Sequence, residues 1–206
     1  MPSLSEVLVE AEAINGKVAG VLHGHYADDR RLTIPLAYLN VCVDHHRAVV
    51  LLMEDQLYAS AMALVRPIFE AMIKAHWVSK CASRAQVDEV AESDNAKVPK
   101  MHEMVDAVDR AFSDPNDEPL TFFRRAKTDA WQAMNSYTHS GFRQLIAQFS
   151  GDRIEAKYAE EDLIDGVNAA TASVLMLGYL IAASTRQEVA AAEIMELFTS
   201  GGSLSV

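Results

Sequence analysis

The chain has few of the residue patterns that mark a function in sequence. Its 206 residues include 2 cysteines, Cys42 and Cys81. Neither belongs to a CxxC pair, which excludes a zinc knuckle and a dithiol redox motif. Both lie in apolar segments, as buried thiols in a reducing compartment would, so a cytoplasmic location is expected. Bases are also scarce. Lys and Arg number 18 against 29 Asp and Glu, a net charge of −11, which argues against broad, non-specific nucleic-acid binding because phosphate contacts need surplus cations. A local basic cleft is still compatible, and Arg124, Arg125 and Lys127 form the one concentrated run, with Arg143 not far along the chain. Glu-x-x-His and H-E-x-x-H are missing, so no metal is expected. Gly-rich phosphate loops, dinucleotide fingerprints and nucleophile-elbow motifs are missing too, and no cofactor is expected. The opening MPSLSEVLVEAE has acids where a secretory signal has bases.

Period-2 alternation is nearly absent as well, while apolar residues recur at the 3.6-residue helical period. The fold class is therefore all-α, a single multi-helix bundle over residues 1–200, with 201–206 as a frayed tail. Ser3 with Glu6 forms a capping box for a first helix that runs to near His25 or Tyr26. Gly16, Gly20 and Gly24 recur along it, a smooth ridge that suits close helix packing inside the chain or a seam between two copies; packing is preferred. A second helix starts near Thr33 with Pro35 in its first turn and ends near Glu54. A third covers 57–80. Ser83 and Gln86 box a short fourth helix, Pro99 starts a fifth to about Phe112, and SDPNDEP (113–119) leads into the helix of Trp131. Gly151 stops the next segment. Thr185 and Glu188 cap a last helix. Residues 166–185, GVNAATASVLMLGYLIAAST, carry no charge. They are long enough to span a bilayer, but Asn168, Thr171, Ser173 and Ser184 dilute them, so a buried core helix, and no membrane, is the reading.

Two polar groups interrupt this apolar pattern. In RPIFEAMIKAHW (66–77) the pair Arg66 and Glu70 stands i, i+4 on a helix that is apolar nearly all round. Pro67 beside it has no N–H, so the carbonyl of Ala63 loses its helical donor. In NSYTHSG (135–141), Asn135 and His139 are i, i+4 and share a face with Trp131 and Thr138, while Gly141 suits the residue just past a helix end. Each group has a plain reading, a structural ion pair at a proline and a helix cap, and a functional one, the two halves of a site.

LVRPIFEAMIKAHWV (64–78), followed by W-x-x-x-N-S-Y-T-H-S-G (131–141), resembles an uncharacterised bacterial family. Its members carry Arg-Pro-x-Phe-Glu with a downstream Trp, here Trp77, and then Tyr-Thr-His-x-Gly. That family is similar to HEPN-like helical bundles (higher eukaryotes and prokaryotes nucleotide-binding). The resemblance implies a bundle that is often a homodimer. In catalytic members it implies metal-independent RNA cleavage in toxin and phage-defence systems. The hallmark of those members, Arg and four residues then His, has no counterpart here.

The expectation is an RNA-cleaving or RNA-binding effector. His139 would serve as acid/base and Arg66 as the cation for a phosphorane. Glu70 would hold Arg66, and Asn135 and Tyr137 would orient substrate or His139, with Thr138 and Trp77 in the same polar cluster. The alternatives are a non-catalytic module for a nucleotide, small ligand or protein segment, and a dimeric structural protein in which the cluster only fixes helix register.

Overall fold

A computed structural model describes residues 2–21, 29–113 and 121–200. Within them the architecture is helical: α1 (Leu4–Gly20), α2 (Arg30–Glu54), α3 (Tyr58–Lys80), α4 (Arg84–Glu92), α5 (Met101–Phe112), α6 (Phe122–Thr138), α7 (Phe142–Ile146), α8 (Glu160–Ser184) and α9 (Glu188–Ser200). One small hairpin, β1 (Phe149–Ser150) and β2 (Arg153–Ile154), sits between α7 and α8. The sequence reading passed over it. Its signal was the Gly-Asp pair at 151–152, a two-residue hairpin loop, where Gly151 takes φ +62°.

Local chemistry sets the starts of α1, α2 and α4. The Ser3 amide donates to Glu6 Oε2 at 2.8 Å, and the Ser83 amide donates to Gln86 Oε1 at 2.9 Å, completing both capping boxes. The second helix begins earlier than its proline suggested, because Asp29 caps it by accepting from Arg31 N at 2.9 Å. Thr185 does not cap α9. Its hydroxyl donates backwards to Ile181 O at 2.8 Å and so closes α8. The first helix is described to Gly20, and its expected end at His25 or Tyr26 lies outside the described residues, as do Gly24, positions 114–119 of SDPNDEP and the tail 201–206.

The glycine ridge does not do what was expected of it. A side chain at Gly16 or Gly20 would meet nothing within 4 Å, so neither marks a close helix approach within the chain. That role falls to α8. A Cβ at Gly166 would lie 2.5 Å from Met62 Sδ, and one at Gly178 would lie 2.8 Å from Val18 Cγ1. These two positions let α3 and α1 lie directly on α8.

The uncharged helix is the centre of the bundle. It packs against α1, α2, α3 and α9. Val167, Ala170, Val174, Leu175, Leu177 and Ile181 are fully enclosed. Among the described residues it is the one helix long and apolar enough to cross a membrane, and 72% of its most apolar window is buried inside the protein.

Three polar side chains enter this core together. Asn15 of α1 donates from Nδ2 to Val43 O at 2.9 Å and meets His46 Nδ1 at 3.0 Å. An amide N–H only donates, so Nδ1 accepts and the ring proton sits on Nε2. From there it is given to Thr171 Oγ1 at 2.9 Å, and Thr171 passes its own proton to Val167 O at 2.8 Å. The chain of donors and acceptors closes. Burial pushes His46 down to about 4, so the ring is neutral.

Candidate functional site

The two polar groups of the sequence meet between α3 and α6. Arg66 Nε donates to Glu70 Oε1 at 2.6 Å, and Arg66 Nη1 donates to His139 Nε2. A guanidinium has no acceptor, so His139 Nε2 is unprotonated in this arrangement and the proton of the neutral ring sits on Nδ1. The Arg66 guanidinium lies over the Trp131 ring, 4.8 Å from its centroid, and Lys127 Nζ lies 5.2 Å from the same ring. Trp131 thereby holds the plane of Arg66 while Glu70 holds its Nε edge. The remaining Nη donors point to the neighbouring space.

The proline gap is filled from across the interface. Thr138 Oγ1 donates to Ala63 O at 3.3 Å, replacing the N–H that Pro67 lacks. The same α6 turn that brings His139 to Arg66 therefore closes the ladder of α3.

NSYTHSG also ends its helix, in a way that differs in one residue from the expectation. Ser140, not Gly141, takes the left-handed conformation, with φ 52°. Gly141 N then donates to Ser136 O at 2.6 Å, the six-residue closure of a Schellman ending. Gly141 is needed for space instead, since a Cβ there would lie 2.8 Å from Ser136 Oγ and 2.9 Å from Ser136 Cα. Ser136 Oγ accepts from Arg143 N at 2.8 Å, which fixes the start of α7 against the end of α6.

These elements bound an open cleft of about 1170 Å³. Arg66, Asn135, Tyr137, His139, Arg143 and Lys157 line it, with Phe142, Ile146 and Tyr158 among the apolar walls and Asp162 as its one lining acid. Phe142 is 75% exposed. Three cations and a histidine thus gather in one place on a strongly acidic chain. The concentrated basic run itself does not line the cleft: Arg124 pairs with Asp106 at 3.0 Å and Lys127 goes to Trp131, while Arg143, outside the run, lines the cleft with Lys157.

The placements of the expected site residues differ in kind. Arg66, Glu70, Thr138 and His139 form one connected set. The Arg66–Glu70 pair is less enclosed than an apolar-all-round helix suggested. The two side chains are 20% and 25% exposed, because this face of α3 opens on the cleft. Asn135 lines the cleft, but its Oδ1 is buried with no hydrogen-bond partner among the described residues. Asn135 Oδ1 therefore takes no hydrogen bond from Arg66 or His139. Tyr137 is buried, its ring 6.4 Å from that of Tyr158. Burial, helped by Asp162, holds its phenol above the ordinary range.

Trp77 does not belong to the cluster. It lies in the hydrophobic core and does not line the cleft, because eleven residues along α3 carry it about three turns away. Trp131 takes the aromatic role beside Arg66. Arg143, Lys157 and Tyr158 were not singled out as site residues. Arg143 and Lys157 are brought there by the α7 turn and the hairpin, which helical periodicity does not encode. Among the described residues no three or more His, Cys, Asp or Glu come together as metal ligands would.

Neither a curated protein nor a solved structure matches the chain. A family of unknown function, DUF6988, matches residues 39–200, a span that begins within α2 and includes both polar groups and the whole cleft. The chain belongs to that family, DUF6988.

Proposed function

We propose that the chain is an HEPN-like helical effector whose cleft takes single-stranded RNA and cleaves it without a metal. The observation that carries this reading is the Arg66–His139 contact, an unprotonated imidazole nitrogen against a guanidinium in an open cleft with Arg143 and Lys157. A phosphate entering the cleft competes for the Nη donors of Arg66 and releases the lone pair of His139 Nε2. That nitrogen then takes the proton of a ribose 2′-hydroxyl. The 2′-oxygen bonds to the adjacent phosphorus, the bond from phosphorus to the 5′-oxygen breaks, and His139 returns the proton to that leaving oxygen. A 2′,3′-cyclic phosphate and a 5′-hydroxyl result. Arg66 stabilises the charge on the phosphorane, held in place by Glu70 and Trp131.

The resemblance in residues 64–78 and 131–141 supports the same reading and extends it to a cytoplasmic homodimer in a bacterial defence or toxin system. Light scattering at micromolar concentration, with twice the 22.6 kDa chain mass expected, tests the dimer.

The test of activity is purified protein with end-labelled single-stranded RNA in excess chelator. The expected result is cyclic-phosphate product, lowered at least about 100-fold in His139→Ala with RNA affinity kept. A wild-type chain that neither binds nor cleaves RNA overturns the reading.

A second reading, a non-catalytic nucleotide or ligand module, is favoured by the three-sided hold on Arg66 from Glu70, His139 and Trp131. Binding that persists with no cleavage by the wild type selects it.

A further inference from the structure

At the other end of α3 and α6 lies a second cavity, of about 560 Å³, within the range of small-molecule sites. It opens between α9 and the group of α3, α5 and α6, with α8 as its floor. Its walls are rings and thioethers. Phe122 and Phe123 stand edge-on at 5.4 Å, Phe123 lies 6.3 Å from Phe112, and Phe122 lies 6.5 Å from Phe198 on α9. Met176 and Met195 complete the lining, and such side chains adapt their shape to flat aromatic partners. The mouth is apolar too, since Phe112 and Tyr179 are 43% and 39% exposed.

One polar residue of the lining, His76, is buried. His76 is 97% buried, being 3% exposed, and sits between Phe112 and Phe123 with ring centroids 5.8 and 5.4 Å away. Its Nδ1 lies 2.8 Å from Met72 O. A carbonyl only accepts, so the proton is on Nδ1 and Nε2 is a bare acceptor. Nε2 has no hydrogen-bond partner among the described residues. Burial, with Lys80 adding to it, pushes His76 down to about 4, so the ring stays neutral and Nε2 remains an acceptor. No comparable open valence exists at His46, whose two nitrogens are both engaged.

We propose that this cavity is a binding site for a small aromatic molecule carrying an O–H or N–H donor, of the phenol or indole type, with the donor on His76 Nε2 and the ring among Phe112, Phe122, Phe123 and Phe198. The site is separate from the Arg66–His139 cleft and stands whether or not that cleft handles RNA. The aromatic walls select a flat apolar body, and the acceptor on His76 selects a donor over its absence, while Lys80, Tyr179 and Ser184 are the other polar residues of the lining.

The test is calorimetric titration of the full chain with 2-naphthol and with naphthalene, which differ only in the hydroxyl. The expected result is 2-naphthol binding about 10-fold or more tighter than naphthalene, the value of one net hydrogen bond. His76→Phe keeps the ring and removes the acceptor, and it should erase that preference. Met176→Trp fills the cavity from a half-buried position on α8, and should weaken both probes more than about 10-fold. Failure of both probes to bind the wild type overturns the proposal. So do equal affinities for the two, or affinities unchanged in Met176→Trp. These comparisons need only the wild type and the Met176 variant, should His76→Phe not fold.

Discussion

Two polar clusters in this protein are each centred on a histidine, and they differ in whether their valences are closed. In the core, Asn15 Nδ2, His46 and Thr171 hand protons along a chain that ends on Val167 O, and both ring nitrogens of His46 are engaged. At the cleft, Arg66 has donors to spare, His139 is exposed, and Asn135 Oδ1 is left over. The closed cluster ties α1, α2 and α8 together and leaves His46 no nitrogen for a ligand. The open one joins only α3 to α6 and faces a large space. Residue types alone do not separate architecture from site; the count of unused donors and acceptors does.

Acid should break the closed cluster first, and with the largest effect. His46 and His76 are both pushed down to about 4 by burial, against about 6.5 in an unfolded chain. The folded state therefore favours the neutral rings, and the unfolded state binds more protons between those values. Their contribution is fully present above pH 6.5 and is lost as pH falls toward 4, on the order of 3 kcal/mol for each ring. Urea titrations at pH 7.5, 5.5 and 4.5 should show a falling midpoint. A midpoint that stays flat across that range would mean the rings are charged in the fold, and the closed-cluster account fails.

Removing Arg66 should cost less. Its pair with Glu70 is only partly enclosed, so Arg66→Ala falls between the roughly 3–5 kcal/mol of a broken buried pair and the roughly 0–1 of an exposed one. About 2 kcal/mol is expected, since the Trp131 stacking goes too. Denaturant unfolding checks it, and a loss below about 0.5 kcal/mol would show that the cleft side of α3 is not held by this residue.

The smallest effect is the coupling across the cleft. A double-mutant cycle of Arg66→Ala with His139→Ala should give an interaction energy of about 0.5–1 kcal/mol, because His139 is exposed and its contact is shared with solvent. Strict additivity would mean the two side chains meet without holding each other. Coupling of several kcal/mol would make the cleft as closed as the core and erase the contrast between the two clusters.

What could be read in advance follows from how local each signal is. Ser3 with Glu6 and Ser83 with Gln86 are three residues apart, and both boxes form. Pro67 announces an orphan carbonyl at Ala63 four residues away, and Arg66 with Glu70 stands on one face by the helical period. That these meet residues 138 and 139 came from matching one unmet need with another. The core chain was illegible for the opposite reason. Asn15, His46 and Thr171 lie on three helices far apart in sequence, and nothing near any of them records its partner. Trp77 was placed with Arg66 because the two share a segment, although three turns of helix separate them. The cations Arg143 and Lys157 depend on a five-residue helix and a hairpin of two-residue strands, elements too short to leave a period.

The hydrogen bond from Thr138 to Ala63 has a consequence for how the cleft responds to change at a distance. It makes the completeness of the α3 backbone ladder and the position of His139 two ends of one thermodynamic linkage. Pro67→Ala would supply Ala63 O with its own helical donor, and Thr138 would then compete for a place already taken. By reciprocity, whatever factor that substitution imposes on affinity for a ligand in the cleft is the factor by which the ligand favours one state of the ladder over the other. Pro67 does not line the cleft, yet it sets the reference state from which binding is measured.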